Sequence, residues 1–249
     1  MRVTFLGTGS AMPAGKRMQT GIAVQQDEQS ILIDCGSGVL HRLEEYGPGY
    51  EEISTVLLTH HHLDHIADLM PLCKARWLSG EEDLTIIGGE GTKTLVDNLF
   101  EAHEYMQDRL DIEVREIEAG SHEIAGFNIQ ARETKHSLPC FAYRIGDFFA
   151  FSGDSEPFEE LGTFFDEVAV VAHDCSFPDE VEVSNHPTPE TLGKMLSKSN
   201  PEIGRLYLTH LYPHTEGKHE EMLDSLQGYI DTDVRIAEDG LSIQINKDP

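Results

Sequence analysis

The chain has 249 residues, of which 39% are hydrophobic and 22 are glycine. This composition is typical of a folded globular protein, and the length suits one large α/β or sandwich domain or two small domains. Because 45 Asp and Glu outnumber 18 Lys and Arg, the formal net charge is −27. Such a charge repels polyanions, which argues against a general nucleic-acid binder and against binding to an anionic membrane.

The sequence predicts neither a membrane-spanning helix nor a secretory signal. No segment approaches the roughly 18 to 20 consecutive apolar residues that a transmembrane helix needs, and the opening residues lack the apolar run of a signal peptide. The cysteines are widely spaced and form no Cys-x-x-Cys pair, so we expect reduced thiols and a cytoplasmic location. These cysteines are Cys35, Cys73, Cys140 and Cys175.

Apolar runs bounded by turn residues predict strands along the whole chain. In chain order, the predicted strands cover residues 2–6, 21–25, 30–34, 54–59, 84–87, 127–132, 148–152, 168–172 and 205–209. A closing hairpin is expected from residues 234–237 and 241–245, joined across Asp239 and Gly240.

Helical patterns alternate with these strands. They cover residues 39–46, 64–77, 92–108, 189–197 and 218–229. Thr188 is predicted to cap the fourth helix, because Pro189 and an acidic residue follow it in the first turn. Residues 81–123 carry 13 acids against three basic residues, which indicates a solvated helix face and loop rather than a cation site. No linker-like stretch divides the chain, so we expect one domain over residues 1–249, with two sheets face to face and helices outside.

A run of potential metal ligands follows the predicted strand 54–59. It reads His60-His61-His62-Leu63-Asp64-His65. In a turn that leaves a strand, His60 and His62 can reach one metal ion, while Asp64 and His65 can reach a second ion beside it. Imidazole and carboxylate groups suit Zn, Fe, Mn or Ni. Two adjacent ions can activate a water and stabilise both the attacking and the leaving oxygen of a displacement.

Three further predicted strands are each followed by a single potential ligand. These residues are His136, Asp154 and His210. Strand ends at one rim of a sheet are held rigidly while their side chains project into a common cleft. A lone histidine at a strand end is more often a hydrogen-bonded structural residue. For these three residues a role as metal ligands is favoured, because the cluster at residues 60–65 needs additional ligands.

Together these motifs resemble the metallo-β-lactamase superfamily and, within it, the ribonuclease Z-like branch. The resemblance covers nearly the whole chain. The matching segments are Phe5-Leu-Gly-Thr-Gly-Ser10, Leu32-Ile-Asp-Cys-Gly36, His60-x-His62-x-Asp64-His65, His136, Ser152-Gly-Asp154 and Leu208-Thr-His210. The resemblance implies an α+β fold, the four-layer αββα metallo-β-lactamase sandwich, with a dinuclear metal site between the edges of the sheets.

The resemblance also implies which side chains bind the ions. The ligands of the first ion are His60, His62 and His136. The ligands of the second ion are Asp64, His65 and His210, and Asp154 bridges both ions. Asp34 is implied to be a buried acid that orients the ligands from behind. The expected cofactors are two divalent ions; Zn is the default for these ligands, although Mn, Fe or Ni also suit several of the positions.

A catalytic pair is implied by two further motifs. His173-Asp174-Cys-Ser-Phe177 is similar to the branch's His-Glu-Ala-Thr-Phe motif, with Asp in place of Glu, and His186-Pro-Thr188 is a loose match to its His-Ser-Thr motif. His186 would then protonate the leaving oxygen or stabilise the transition state, and Asp174 would hold its tautomer. Asp64 would orient the nucleophile or accept its proton. The alternative for His186 is a structural role beside the helix start at Thr188.

One departure from the branch concerns RNA. Only 17 residues separate His136 from Asp154, which leaves no room for the tRNA-gripping arm that ribonuclease Z enzymes often insert there. We therefore expect a hydrolase in which a metal-bound hydroxide attacks a small or nucleotide-like phosphodiester, with nucleic acid a less favoured partner and no membrane partner.

Alternatives to this function stay open. They are a tRNA 3′-end endonuclease whose arm is supplied elsewhere, and a lactone or thioester hydrolase of the same fold. The intact ligand run at residues 60–65 argues against a third alternative, a non-catalytic metal-binding or interaction protein. The oligomeric state is also open, with a homodimer as one alternative.

Overall fold

A computed structural model describes residues 1–246 of the chain, in which the strands form two seven-stranded sheets. The first sheet contains β1 (Arg2–Gly7), β2 (Gly21–Gln26), β3 (Gln29–Ile33), β4 (Thr55–Leu57), β5 (Asp83–Gly88), β6 (Asp111–Glu116) and β14 (Ser242–Gln244). The second sheet contains β7 (Gly120–Ile124), β8 (Phe127–Glu133), β9 (Phe141–Ile145), β10 (Phe149–Phe151), β11 (Val168–Asp174), β12 (Ile203–Thr209) and β13 (Asp233–Ile236). The predicted domain of residues 1–249 includes residues 247–249, which lie outside the described residues.

Each sheet is antiparallel on one side and parallel on the other. The first has the order β14-β1-β2-β3-β4-β5-β6 and the second the order β13-β12-β11-β10-β9-β8-β7. Strands β3 to β6 pair in parallel, and so do strands β10 to β13. Because neighbouring parallel strands end at the same edge, the loops after their carboxyl ends gather at one edge of each sheet, where open α/β sheets bind ligands.

Helices cover the outer faces of both sheets. They are α1 (Val39–Tyr46), α2 (Leu63–Ile66), α3 (Leu69–Ser79), α4 (Thr92–Ala102), α5 (Glu159–Phe164), α6 (Pro189–Ser199) and α7 (His219–Gln227), with 3₁₀ turns at Glu104–Met106 and Pro213–Thr215. Apolar side chains of α1, α3 and α4 pack on the first sheet, and those of α5, α6 and α7 on the second. Over residues 1–246, no helix is long and apolar enough to cross a membrane.

The central core lies between the two sheets. Phe5 and Ile33 of the first sheet share one buried cluster with Tyr143 and Phe149 of the second. These side chains alternate with outer-face residues along their strands, because successive residues of a strand point to opposite faces. Helix, sheet, sheet and helix therefore form four layers, which confirms the αββα sandwich expected from the sequence.

The predicted closing hairpin is wrong. β13 pairs with β12 in the second sheet, whereas β14 pairs with β1 in the first, so residues 237–241 cross from one sheet to the other. Asp239 anchors this crossing, since its carboxylate accepts hydrogen bonds from the Thr8 amide at 3.0 Å, the Thr8 hydroxyl at 2.7 Å and the Met18 amide at 2.7 Å. These distant partners override the local turn signal of Asp239 and Gly240.

Other differences have similar tertiary causes. The helix predicted over residues 64–77 is interrupted between α2 and α3, where the Asp68 carboxylate accepts hydrogen bonds from the amides of Gly38 and Leu40 at 2.8 and 3.0 Å. The acidic segment 81–123, expected to be helix face and loop, also contains strands β6 and β7, because pairing with β5 and β8 satisfies their backbones. Strand β9 and helix α5 were not predicted.

Candidate metal centre

The segment after β4, a loop that runs into α2, places four potential ligands at the edge of the first sheet. Behind it lies Asp34, which is fully buried. One oxygen of Asp34 accepts a hydrogen bond from the Thr59 amide at 2.7 Å, and the other accepts the Thr59 hydroxyl at 2.8 Å and contacts Nδ1 of His65 at 2.7 Å. The chain passes Gly36 so closely that a side chain there would overlap with the carbonyl oxygen of Asp64. The positions of the loop's side chains are therefore set by the fold.

One group of donor atoms faces a single point in the cleft. Nδ1 of His62 lies 3.0 Å from Nε2 of His60 and 3.2 Å from Nε2 of His136. The Oδ2 atom of Asp154 lies 3.6 Å from Nε2 of His60 and 3.7 Å from Nε2 of His136. We call these four residues group A. One donor atom from each lies within 4.8 Å of the others, a spacing at which one ion can contact all four.

A second group adjoins the first through Asp154. Nε2 of His210 lies 3.3 Å from Nε2 of His65 and 3.2 Å from Oδ2 of Asp64. Oδ2 of Asp154 lies 3.4 Å from Nε2 of both histidines. We call His65, Asp64, His210 and the shared Asp154 group B. A single carboxylate oxygen of Asp154 thus faces Nε2 atoms of both groups.

Burial and local charge set the protonation of these side chains. Burial lowers the pKa of His60 well below its ordinary value, and it also lowers the pKa of His62 and His136. These imidazoles are neutral at pH 7, which is the form that binds metal. Burial opposes the charge on Asp154, but the neighbouring His210 and His65 outweigh it and hold its pKa well below the usual range. Asp154 is therefore ionised and could serve as an anionic ligand.

The donor set fits divalent cations. Imidazole nitrogens and carboxylate oxygens are the ligands preferred by zinc and related ions. The second oxygen of Asp154, Oδ1, is buried and has no hydrogen-bond partner within residues 1–246, although a buried carboxylate normally requires partners for both oxygens. The nitrogen atoms of the neutral His60, His62 and His136, which converge at 3.0–3.2 Å, are stabilised by a cation at their centre.

Beside the two groups, His186 and Asp174 form a close pair. Nδ1 of His186 lies 2.7 Å from Oδ2 of Asp174, and the His186 ring stacks on that of His210 at 5.3 Å between centroids. Burial opposes a charge on His186, but the fully buried Asp174 outweighs it and raises the pKa of His186 to about 9. Asp174 therefore contacts His186 although its side chain is one methylene shorter than the Glu of the branch's His-Glu-Ala-Thr-Phe motif.

The structure brings together all seven side chains that the sequence suggested as ligands. His186 and Asp174 lie directly against them. Thr188 caps α6 through a capping box with Thr191, and Pro189 occupies the first turn, as predicted. The side chain of His186 is not part of that capping box, and its close contact is with Asp174.

Sequence reasoning missed three residues of this region. Ser176 contacts both Asp174 and His210, and its position two residues after Asp174 in a matching motif was the available signal. Half-buried Phe177 and Tyr212 stack at 4.5 Å between ring centroids beside His186. Tyr212 follows His210 by two residues, but no spacing rule distinguishes such a ring from an ordinary core aromatic.

Comparison with known sequences gives consistent matches across the chain. Residues 1–227 match the family described as Anti-Pycsar protein Apyc1. The chain is 27% identical to a ribonuclease Z of Mycolicibacterium gilvum, in an alignment that covers 99% of this chain and 96% of that protein. It is 29% identical to the probable metallo-hydrolase YhfI of Bacillus subtilis, over 96% of this chain and 98% of that protein.

Solved structures agree with these sequence matches. The crystal structure of the metallo-β-lactamase fold protein YhfI from Bacillus subtilis superposes with a TM-score of 0.82 at 28% identity, covering 98% of this chain and 99% of that one. Human tRNase Z, short form, superposes with a TM-score of 0.79 over 99% of this chain and 100% of that one, and at 22% identity it shows the common fold alone. The chain therefore belongs to the Anti-Pycsar protein Apyc1 family, within the ribonuclease Z-like branch of metallo-β-lactamase fold proteins, and is a metal-dependent hydrolase.

Proposed function

We propose that this protein is a dinuclear phosphodiesterase that hydrolyses small or nucleotide-like phosphodiesters. The observation that carries the proposal is the position of Asp154, whose Oδ2 atom lies 3.4–3.7 Å from Nε2 of four histidines. Two of these histidines belong to group A and two to group B. A carboxylate shared in this way supports two adjacent ions, which is the arrangement that suits displacement at phosphorus.

Seven residues would hold the two ions. Group A would hold one ion through His60, His62, His136 and Asp154. Group B would hold the other through Asp64, His65, His210 and Asp154. When bound, two divalent ions lower the pKa of a water held between them and neutralise negative charge on the phosphate. Zinc is the first choice for this donor set, and Mn, Fe and Ni are the alternatives to be tested.

The chain's own residues supply positioning and proton transfer. Asp64 is the proposed group that orients a water and accepts its proton, since its Oδ2 atom belongs to group B and lies 3.2 Å from Nε2 of His210. His186 is the proposed donor of a proton to the leaving oxygen, because the adjacent Asp174 favours its protonated form. Since Asp174 contacts Nδ1 of His186 at 2.7 Å, it leaves Nε2 as the nitrogen free to face the substrate.

A small substrate is favoured over tRNA by two features. The interval between His136 and Asp154 is occupied by β9 and β10, so it carries no extended arm. In the early loop, Arg17 donates hydrogen bonds to the Thr8 hydroxyl and to the Ala237 carbonyl, which uses its guanidinium within the fold. Phosphate contacts from Lys and Arg normally supply most of the affinity for nucleic acid, and the chain carries only 18 such residues.

tRNA 3′-end processing is the second candidate function. The observation in its favour is that a full-length relative in Mycolicibacterium gilvum is called ribonuclease Z. The same groups A and B would serve this reaction, with the RNA-binding surface supplied by another part of the assembly.

The deciding experiment compares substrates on the metal-loaded protein. Specificity constants are measured for a bis-aryl phosphodiester, cyclic nucleotides, a lactone and a 3′-extended tRNA at moderate salt, with metal content determined on the same sample. We expect two ions per chain and a higher specificity constant for the small phosphodiesters than for tRNA. Efficient, accurately placed cleavage of tRNA would reverse the assignment in favour of the second candidate, and preferential lactone hydrolysis would contradict both.

The matched control for this comparison is Asp97→Ala. Asp97 is an exposed aspartate on α4, paired with Lys93 at the surface, so its removal should leave every specificity constant unchanged. A single ion per chain, with His65 and His210 not bound to it, would contradict the dinuclear arrangement.

A further inference from the structure

Ser176 joins a proposed metal ligand to the proposed acid–base pair. It is fully buried, and its Oγ atom lies 2.6 Å from Oδ1 of Asp174 and 3.0 Å from Nδ1 of His210. The same Oγ is 3.0 Å from the carbonyl oxygen of His210 and 3.3 Å from Nδ1 of His186. One hydroxyl thus contacts side chains that belong to two parts of the site.

The direction of these hydrogen bonds follows from counting protons. An ionised carboxylate can only accept, so the contact of 2.6 Å requires Ser176 to donate its single proton to Asp174. A charged acceptor at that distance takes the proton in preference to the His210 carbonyl at 3.0 Å. Oγ of Ser176 can then only accept from His210, so Nδ1 of His210 carries a hydrogen and Nε2 is left with a lone pair.

In that tautomer, the lone pair on Nε2 of His210 faces the other residues of group B. Its Nε2 atom faces Oδ2 of Asp64 at 3.2 Å and Nε2 of His65 at 3.3 Å. Nε2 of His65, on the first sheet's side, also faces group B, because Nδ1 of the same ring contacts the Asp34 carboxylate at 2.7 Å. The two histidines of group B therefore have equivalent supports, a carboxylate for His65 and the Ser176 hydroxyl for His210.

The same serine also restrains the catalytic pair. Asp174 uses Oδ1 for Ser176 and Oδ2 for His186 at 2.7 Å, so the rotation of its carboxylate is fixed from both sides. The backbone N–H of Ser155 is a weaker third partner at 3.4 Å from Oδ2. Loss of the Ser176 hydroxyl would leave Oδ1 without a close donor and the His210 Nδ1 hydrogen without an acceptor at hydrogen-bonding distance, because Asp174 Oδ1 is 3.7 Å away.

We propose that Ser176 is a positioning residue that couples group B to the Asp174–His186 pair, fixing the tautomer of His210 and the orientation of Asp174 with one hydroxyl. The inference rests on the proposed two-metal function and adds to it a residue that contacts neither ion nor substrate. Outer partners of metal-bound histidines of this kind are worth about 10- to 100-fold in metal affinity or activity.

Zinc affinity provides a test that does not depend on any substrate. The variants are Ser176→Ala, Ser176→Thr and Ser176→Val, and zinc binding is measured by competition with a chelator. Thr keeps a hydroxyl at this position, whereas Val has nearly the same shape as Thr but carries no hydroxyl. We expect the weaker of the two zinc sites to lose about 10- to 100-fold in affinity in the Ala and Val variants, and to recover in the Thr variant.

The hydrogen on His210 can be observed directly. In zinc-loaded protein labelled with ¹⁵N-histidine, His210 should give a slowly exchanging Nδ1–H resonance that persists in Ser176→Thr and is lost or shifted in Ser176→Ala. In parallel, kcat for a bis-aryl phosphodiester should fall in the Ala variant while KM changes little, because the serine does not contact the substrate.

Ser199→Ala is the matched control. Ser199 is a partly buried serine at the end of α6, and its hydroxyl donates to the Met195 carbonyl of its own helix at 2.9 Å, so the variant should keep both zinc affinities and the His210 resonance. Unchanged zinc affinity and kcat in folded Ser176→Ala would overturn the proposal. If Ala fails to fold, equal zinc affinities for Thr and Val would overturn it instead. A wild-type His210 whose Nδ1–H exchanges freely with water would also overturn it, and absent phosphodiester turnover would reject only the proposed function.

Discussion

The two sheets contribute to the metal centre in different ways. The first sheet supplies four ligand candidates from one loop, residues 60–65, which follows β4. The second supplies His136, Asp154 and His210 from the ends of three different strands, together with Asp174 at the end of β11. The first set of donors is close in sequence and is then held by Asp34, whereas the dispersed donors meet only because the second sheet is folded.

The two sheets also differ in the residues that hold the candidate ligands in position. In the first sheet, Asp34 contacts both Thr59 and His65, and the Thr59 hydroxyl contacts Nδ1 of His60 at 3.0 Å. In the second, Ser176 and Asp174 share the task and connect it to His186. The first sheet therefore contributes a rigid set of ligands, and the second contributes ligands that are linked to the proposed proton donor.

The largest expected effect comes from removing one carboxylate on each side. We expect both Asp64→Ala, in the first sheet's loop, and Asp154→Ala, in the second, to reduce turnover of phosphodiesters to background. Their zinc content should differ, because Asp64 belongs to group B alone whereas Asp154 faces both groups. Asp64→Ala should keep one ion per chain and Asp154→Ala should bind neither tightly. Equal zinc content in the two variants would contradict the bridging position of Asp154.

The catalytic pair of the second sheet should have the next largest effect. His186→Ala and Asp174→Ala are expected to lower kcat by about 100- to 10,000-fold, the usual contribution of an acid–base group, while both ions stay bound. Because the two residues act together through one contact of 2.7 Å, the double variant should be little worse than either single one. Unchanged kcat in His186→Ala on every phosphodiester tested would show that His186 is not the proton donor.

Removing the first sheet's support should have a smaller effect. Asp34→Asn keeps the shape of the side chain but places an amide where His65 requires an acceptor for its Nδ1 hydrogen. We expect zinc affinity at group B to fall about 10- to 100-fold, and thermal stability to fall as well, since three hydrogen bonds to a fully buried carboxylate are weakened. Chelator competition and thermal melts measure both, with the surface variant Asp97→Asn as control. A zinc affinity equal to that of the wild type would show that Asp34 does not orient the ligands.

The same contrast between the sheets explains how much the sequence could predict. The ligand run at residues 60–65 was visible as chemistry in consecutive positions, and the sandwich followed from alternating strands and helices. His136, Asp154 and His210 could be selected only from their places after predicted strands and from the family resemblance. Their meeting depends on the parallel pairing of β10, β11 and β12 and, for His136, on the antiparallel pairing of β8, β9 and β10. The prediction of a hairpin at residues 234–245 was wrong because an Asp-Gly turn pattern gives no information about which sheet each strand joins.

Ser176 marks the limit of prediction for the site. A serine two residues after Asp174 has no distinguishing chemistry in the sequence. Its role emerges only when the turn after β11 is folded against His210, which itself adopts a left-handed backbone conformation with φ of 57°. Long-range contacts of a single hydroxyl cannot be deduced from periodicity or composition.

The smallest expected effect concerns a buried histidine of the second sheet that belongs to neither group. His173 lies on β11, fully buried, with Nδ1 2.7 Å from the Asp174 carbonyl and with no partner for Nε2 within residues 1–246. Burial lowers its pKa, in contrast to His65 of the first sheet, where burial is outweighed by Asp154 and Asp34 and the pKa is raised well above its ordinary value.

This difference fixes the sign of a pH effect on stability. Because the fold lowers the pKa of His173, the unfolded chain takes up a proton at this residue at a higher pH than the folded protein does, so folding loses stability as pH falls. One such proton changes the free energy of unfolding by at most about 1.4 kcal/mol per pH unit, or about 3–6 °C in Tm for a chain of this size. His173→Leu cannot take up that proton and should show a shallower decline in Tm between pH 6.5 and 5. Because the two proteins differ only at position 173, parallel curves of Tm against pH would mean that His173 does not resist protonation, which would contradict the contrast with His65.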